Sequence, residues 1–338
     1  MKIPLALALV LGFGWSFTSI VFAEPGADST SASDAVLTQF GRREPRVHDP
    51  STIVTCKDDF WFFATGNGVV SWHSRDLTNW ENGPHVFASN PAWAVDAIPG
   101  NRGYLWAPDV IHVGNRYLLY YSVSTFGKNT SAIGVATNAT LDPADPSFGW
   151  RDQGSVVQSQ ATNNFNAIDP AVTTDLEGKL WLSFGSFWSG IKLVQLDPAT
   201  GKRLAPDSPM RSLAHHDSIE AAAIGQHKGR YYLFVNWGLC CRGARSTYNI
   251  RVGRSEKITG PYLDKEGRDL AAGGGSLFLE TTDPFIGPGH VGFFTQAGSE
   301  WFSCHFYDGS RGGRSTLAIR PLRWSDDGWP EAGVLNSK

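Results

Sequence analysis

Runs of basic residues are missing from this chain. Its 29 Lys and Arg stand against 32 Asp and Glu, a formal net charge of −3, and nowhere do the cations cluster. Nucleic acid and anionic membrane surfaces need such clusters and are excluded as partners. Cysteine is scarce as well. The four present, Cys56, Cys240, Cys241 and Cys304, show none of the spacings that hold zinc. Methionine is nearly absent, at two residues, whereas 37 Gly and 19 Pro interrupt the chain every few positions. Punctuation of that density suits short strands joined by tight turns. Long apolar runs are lacking too: the stretch PLALALVLGFGW near the N-terminus is short for a membrane span.

That stretch reads instead as the core of a secretory signal. Lys2 supplies the positive start and Val21-Phe22-Ala23 a small-x-small cleavage site before Glu24. The expected organisation is a signal peptide over residues 1–23, a polar leader over 24–44 and one domain over 45–338. The mature protein is then secreted or periplasmic and free of the membrane. Export permits disulfides. A bond between the adjacent Cys240 and Cys241 would close a small strained ring and fix a kinked loop; the alternative is two thiols. Cys56 and Cys304 lie in the first and last units described below, which a closed ring would bring together as a possible pair.

What the chain has in quantity is aromatic surface. Hydrophobic residues are 41% and aromatics 12%, including 13 Trp, while charged residues are only 18%. That supplies a large core, and its exposed share fits a neutral, hydroxyl-rich ligand whose C–H faces stack on rings.

Five segments repeat one plan. Asp49, Trp106, Asp169, Glu220 and His290 each open an apolar stretch. A polar turn follows, and an aromatic-rich strand begins eleven residues after the opening residue, at Phe60, Tyr117, Leu180, Tyr231 and Trp301. A third strand completes each unit, as in SAIGVATN or YNIRVGRS. Units start 57, 63, 51 and 70 residues apart. Periods of this size with several short strands per repeat predict an all-β, five-bladed β-propeller. A β-sandwich is the rival, but it gives no reason for matched opening residues. In a propeller the innermost strands surround one axis, so the opening residues converge at one channel mouth. Loops after the second strands, among them Phe126-Gly127 and Ser186-Phe187-Trp188, line the same mouth.

Three carboxylates at a channel mouth point to glycosidic bond hydrolysis, which uses one ionised carboxylate and one protonated acid. Glu220, flanked by Ile219 and three alanines, is the candidate acid, because apolar surroundings raise a carboxyl pKa. Asp49, beside His48, is the candidate base, and Asp169 a third charge that raises Glu220 and orients it. Asp109 lies three residues past Trp106 and reads as structural. Trp106 is a candidate stacking platform, with Phe126 and Trp188 in the same class. Asn166 either binds a sugar hydroxyl or braces its loop. His305 lies on a strand running back toward this face. His48, His215 and His216 have no positional argument.

The motifs VHDPS, WAPDV, NAIDP, GSFWSG, SIEAA, WGLCCRGARSTYNIRVGRS and GPGH, in this order, closely resemble the endo-arabinanases of glycoside hydrolase family 43. The resemblance covers residue 45 to the C-terminus. It implies a five-bladed propeller that cleaves α-1,5-linked L-arabinofuranose chains with inversion, acting as a monomer on arabinan, a side chain of pectin. It also implies Asp49 as general base, Glu220 as general acid and Asp169 as the residue tuning that acid. Substrate contacts are expected at Asp49, Trp106, Phe126, Gly127, Asn166, Asp169, Ser186, Phe187 and Trp188. The resemblance further implies calcium near the axis, held by His290 and waters, although calcium prefers oxygen ligands. The competing functions are a related propeller glycosidase (exo-arabinanase, arabinofuranosidase or β-xylosidase) and a sugar-binding propeller without catalysis.

Overall fold

The computed structural model describes residues 45–333. The expected signal peptide and leader lie outside them. Five antiparallel sheets follow one another along the chain, each built from consecutive strands. Blade one comprises Val54–Cys56, Asp59–Ala64, Val70–Ser74 and Glu81–Asn82. Blade two comprises Tyr104–Val113, Arg116–Val123, Ser131–Asn138 and Arg151–Ser159. Blade three runs through Ala171–Thr174, Leu180–Phe184, Ile191–Leu196 and Arg211–Ala214. Blade four has Ile219–His227, Arg230–Trp237, Asn249–Ser255 and Ser276–Leu279; blade five has Phe285–Gln296, Ser299–Asp308, Arg314–Trp324 and Pro330–Ala332. Each blade thus has four strands, one more than the minimum expected, and the short strand Gly66–Asn67 adds an edge to blade two. A single α-helix, Ala92–Ala97, is present among the described residues.

The aromatic second strands hold the ring together because both their faces are buried, which is why they read as unbroken apolar runs. In blade four, Tyr231, Leu233 and Val235 pack toward blade three, while Tyr232 and Phe234 pack toward blade five. Blade one divides likewise. Trp61 and Phe63 meet blade two, and Phe60, Phe62 and Ala64 meet Leu317 of blade five. Five apolar clusters result, one at every blade junction.

The junction of blades five and one is the seam of the ring. Residues before the first strand cross it: Arg46 bridges Thr316, and Val47 donates its N–H to the carbonyl of Ser315 at 3.4 Å. No disulfide closes this seam among the described residues. Cys56 packs at the junction of blades one and two and Cys304 at that of blades four and five, both as free buried thiols. The pairing that the sequence left open is not made: first and last blades are neighbours, but these two side chains lie at different junctions. Cys240 and Cys241 do form a disulfide.

Candidate active site

Every innermost strand enters through one residue in the left-handed backbone region. These are Asp49 (φ 51°), Ala107 (43°), Asp169 (57°), Ala221 (53°) and His290 (59°). In blades two, four and five that residue lies where the pairing register slips by one, as in a β-bulge. This corrects the expected equivalence of opening residues. Asp49, Asp169 and His290 are the left-handed residues themselves, whereas Trp106 and Glu220 stand one position earlier.

The backbone N–H of each left-handed residue donates to a side chain held by the preceding blade. Ala107 donates to Thr65 Oγ1 at 2.8 Å, Asp169 to Ser122 Oγ at 3.0 Å, His290 to Asn236 Oδ1 at 3.0 Å and Asp49 to His305 Nδ1 at 3.2 Å. Thr65, Ser122 and Asn236 sit within one residue of the end of their second strands, and His305 three residues before the end of its own. In blade three the corresponding place falls to Gly185, which has no side chain. Glycine is required there: a Cβ would come within 2.5 Å of the Gly190 carbonyl oxygen, and φ is 130°. Asp169 fills the gap by accepting the Ala221 N–H on its own Oδ2 at 3.2 Å. The carboxylate is thereby fixed beside Glu220.

Asp49 lies among three histidines and a hydroxyl. His48 Nδ1 lies 2.8 Å from Oδ2, and Thr65 Oγ1 donates to the same oxygen at 2.6 Å. His290 Nδ1 lies 3.5 Å and His305 Nδ1 3.7 Å from Oδ1. Burial pushes this carboxyl up, but His48 and His290, by charge and hydrogen bond, outweigh it and hold the pKa well below the usual range. His305, fully buried, is driven well below the ordinary imidazole value by burial and then by His48. It is neutral, in keeping with its Nδ1 accepting the Asp49 N–H.

Glu220 lies in the opposite environment. Burial raises its pKa above the ordinary value, with Asp49 adding to the lift, against hydrogen bonds from Tyr248 and Ser186. The Tyr248 hydroxyl donates to Oε1, and Ser186 Oγ donates to Oε2 at 2.7 Å. Asp169 is pushed up to about 8, by burial first and by Glu220 second. Two neighbouring buried carboxyls do not both ionise readily, so this pair keeps a proton at neutral pH. Asp49 is thus poised to accept a proton and Glu220 with Asp169 to hold one.

The remaining expected residues divide. Asp109 is structural, as read: buried, it accepts Thr52 N–H at 2.9 Å and Val172 N–H at 2.8 Å and so ties three inner strands together. Ser186 Oγ donates to Glu220. Phe187 and Trp188 are both left-handed, and their loop is pinned by Phe187 N–H to the Ile219 carbonyl at 2.7 Å and Ser189 N–H to the Asn164 carbonyl at 2.8 Å. Trp188 is 42% exposed and Phe126 is 83% exposed, beside an exposed Gly127. Trp106 is half-buried. Asn166 is buried, and its Oδ1 has no hydrogen-bond partner among the described residues. Sequence reasoning missed Thr65, Asn236, Tyr248 and the contact of His48 with Asp49. The available signal was a polar residue at the end of each aromatic run, as in FVNW and FFAT.

A metal finds a limited donor set here. His290 Nε2 has no protein hydrogen bond among the described residues, and Asp49, Asp169 and Glu220 supply negative charge around it. The group His48, Asp49 and His305 has ligand-type atoms within 4.8 Å of one another. Its His305 Nδ1 is already committed to the Asp49 N–H.

The family model described as "Glycosyl hydrolases family 43" matches residues 44–330. The chain is 42% identical over 305 residues to an extracellular exo-α-(1→5)-L-arabinofuranosidase, ArbA, of Cellvibrio japonicus, covering 86% of this chain and 87% of the relative. It is 39% identical over 324 residues to an extracellular endo-α-(1→5)-L-arabinanase of Bacillus subtilis, covering 93% and 96%. Among solved structures, Cellvibrio cellulosa α-L-arabinanase complexed with arabinohexaose matches with a TM-score of 0.82 at 41% identity, over 86% of this chain and 96% of that one. Built from a five-bladed ring with the carboxyls of Asp49, Asp169 and Glu220 near its axis, the chain belongs to glycosyl hydrolases family 43.

Proposed function

We propose that this protein hydrolyses α-1,5-linked L-arabinofuranose chains of arabinan, in endo fashion and with inversion, outside the cytoplasm. The observation that carries the reading is the split between the carboxyls: Asp49 held well below, Glu220 and Asp169 raised. Base and acid must differ in this way for one to activate water while the other protonates the leaving oxygen. Asp49 takes the base role, Glu220 the acid role, and Asp169 orients the acid through its hold on Ala221. Exposed Trp188 and Phe126 offer stacking surfaces, and Asn166 Oδ1 offers a buried acceptor to a sugar hydroxyl. The arabinan-directed names of both relatives support the substrate class, and their extracellular designation supports secretion.

Exo action is the second reading, favoured by the name of the 42% identical relative. Digestion of linear arabinan separates the two. Endo cleavage lowers viscosity early and yields a ladder of oligosaccharides, whereas one small product from the first time points overturns it. Proton NMR should show the β-anomer first; an initial α-anomer overturns inversion and makes Asp49 a nucleophile. The residues present fit a hydrated calcium bound through His290 Nε2, which would supply positive charge near the carboxylates. Chelation is expected to lower activity without unfolding the ring, and His290→Ala to remove that sensitivity.

A further inference from the structure

A chain of hydrogen bonds runs from the vicinal disulfide to Asp49. The Cys241 N–H donates to the Tyr307 hydroxyl at 2.7 Å. Tyr307 OH lies 2.8 Å from His48 Nε2. His48 Nδ1 lies 2.8 Å from Asp49 Oδ2 and donates to it, whether Nε2 accepts from the phenol or donates to it. Every link has its donor facing an acceptor. His48 is also held flat against His305, the ring centroids 4.2 Å apart. Tyr307 is buried on blade five, while Cys241 is exposed.

We propose that His48 and Tyr307 are positioning residues for the Asp49 carboxylate, and that the Cys240–Cys241 turn locks Tyr307 in place. The inference rests on the reading of Asp49 as the base. An unbranched carboxylate can rotate away from the water it must activate. One oxygen held by His48 and Thr65 leaves the other, Oδ1, facing the channel histidines. The lock is covalent and exposed, so a reductant reaches it: a dithiol gives two electrons and two protons, converting the disulfide to two thiols and itself to a cyclic disulfide. Cys56 and Cys304 are already thiols and do not respond.

The test is steady-state hydrolysis of linear arabinan by the full chain. Tyr307→Phe keeps the ring and removes only the hydroxyl; kcat is expected to fall roughly two- to tenfold with KM unchanged. His48→Ala should cost roughly 10- to 100-fold in kcat, and His48→Asn, whose amide N–H stands near the place of Nδ1, should recover most of it. Dithiothreitol should lower kcat of the wild type and leave Tyr307→Phe unaffected, because the link it breaks is already gone. A wild-type kcat in Tyr307→Phe, a change confined to KM, or an equal effect of reductant on both proteins overturns the inference. Asp49→Asn in the same assay separates the two failures. If it is active, the base assignment falls; if it is inactive while Tyr307→Phe is normal, only the positioning chain falls.

Discussion

Asp169 is asked to do two things at once. It accepts the Ala221 N–H that Gly185, past the end of blade three's second strand, has no side chain to accept, and it shares a proton with Glu220. Asn in its place keeps an acceptor and removes one of the two carboxyls that share that proton. Glu220 then deprotonates at lower pH, so Asp169→Asn should move the alkaline limb of the activity profile downward and reduce kcat. Stability moves the other way. A carboxyl raised to about 8 binds its proton more tightly folded than unfolded, so the wild type loses stability as pH rises from its unfolded value toward 8. The variant lacks that loss. Its melting temperature relative to wild type should therefore be higher at pH 8 than at pH 4, and no such difference would show that Asp169 is not buried as a proton-bearing acid. Asp49 has the opposite sign: its contribution is present above the ordinary carboxylate range and disappears as pH falls through its depressed value.

Among elements, the inner strands depend on Asp109 more than on any catalytic candidate. Both its oxygens take backbone N–H groups of other blades, at Thr52 and Val172. Asp109→Ala orphans both donors in a dry junction and should destabilise the fold by about 2–5 kcal/mol, measured by denaturant titration. Asn236→Ala removes the acceptor of the His290 N–H and two donations, to the Pro288 and Asn249 carbonyls, and should cost about 1–3 kcal/mol. The blades and their order could be read from the chain because every second strand is an aromatic run bounded by turns. Two things were hidden there. A bulge adds no residue type of its own, so the one-place offset of Trp106 and Glu220 was invisible. The acceptors Thr65, Ser122 and Asn236 act on the next blade, a relation that linear spacing does not display. The tuning of Asp49 was half visible, since His48 is its neighbour in sequence, but His305 reaches it from the far end of the chain.

At the scale of the whole molecule, the ring is shut by a strip of nine residues, 45–53, laid across blade five. The shutting is noncovalent: a bridge at Arg46, hydrogen bonds of Val47, His48 and Asp49 to blade five, and the apolar cluster that includes Val47 and Ile53. Removing residues through 47 should lower the melting temperature by several degrees, at roughly 2–4 °C per kcal/mol for a large domain. That strip also carries Asp49. Its N–H rests on His305 and its neighbour His48 on Tyr307, both residues of blade five. The proposed base therefore takes support from both ends of the chain, from Thr65 of blade one and from His305 and, through His48, Tyr307 of blade five. Turnover in this protein reports on the circle being whole, and a ring that gapes at the seam would fall silent while four of its junctions were still intact.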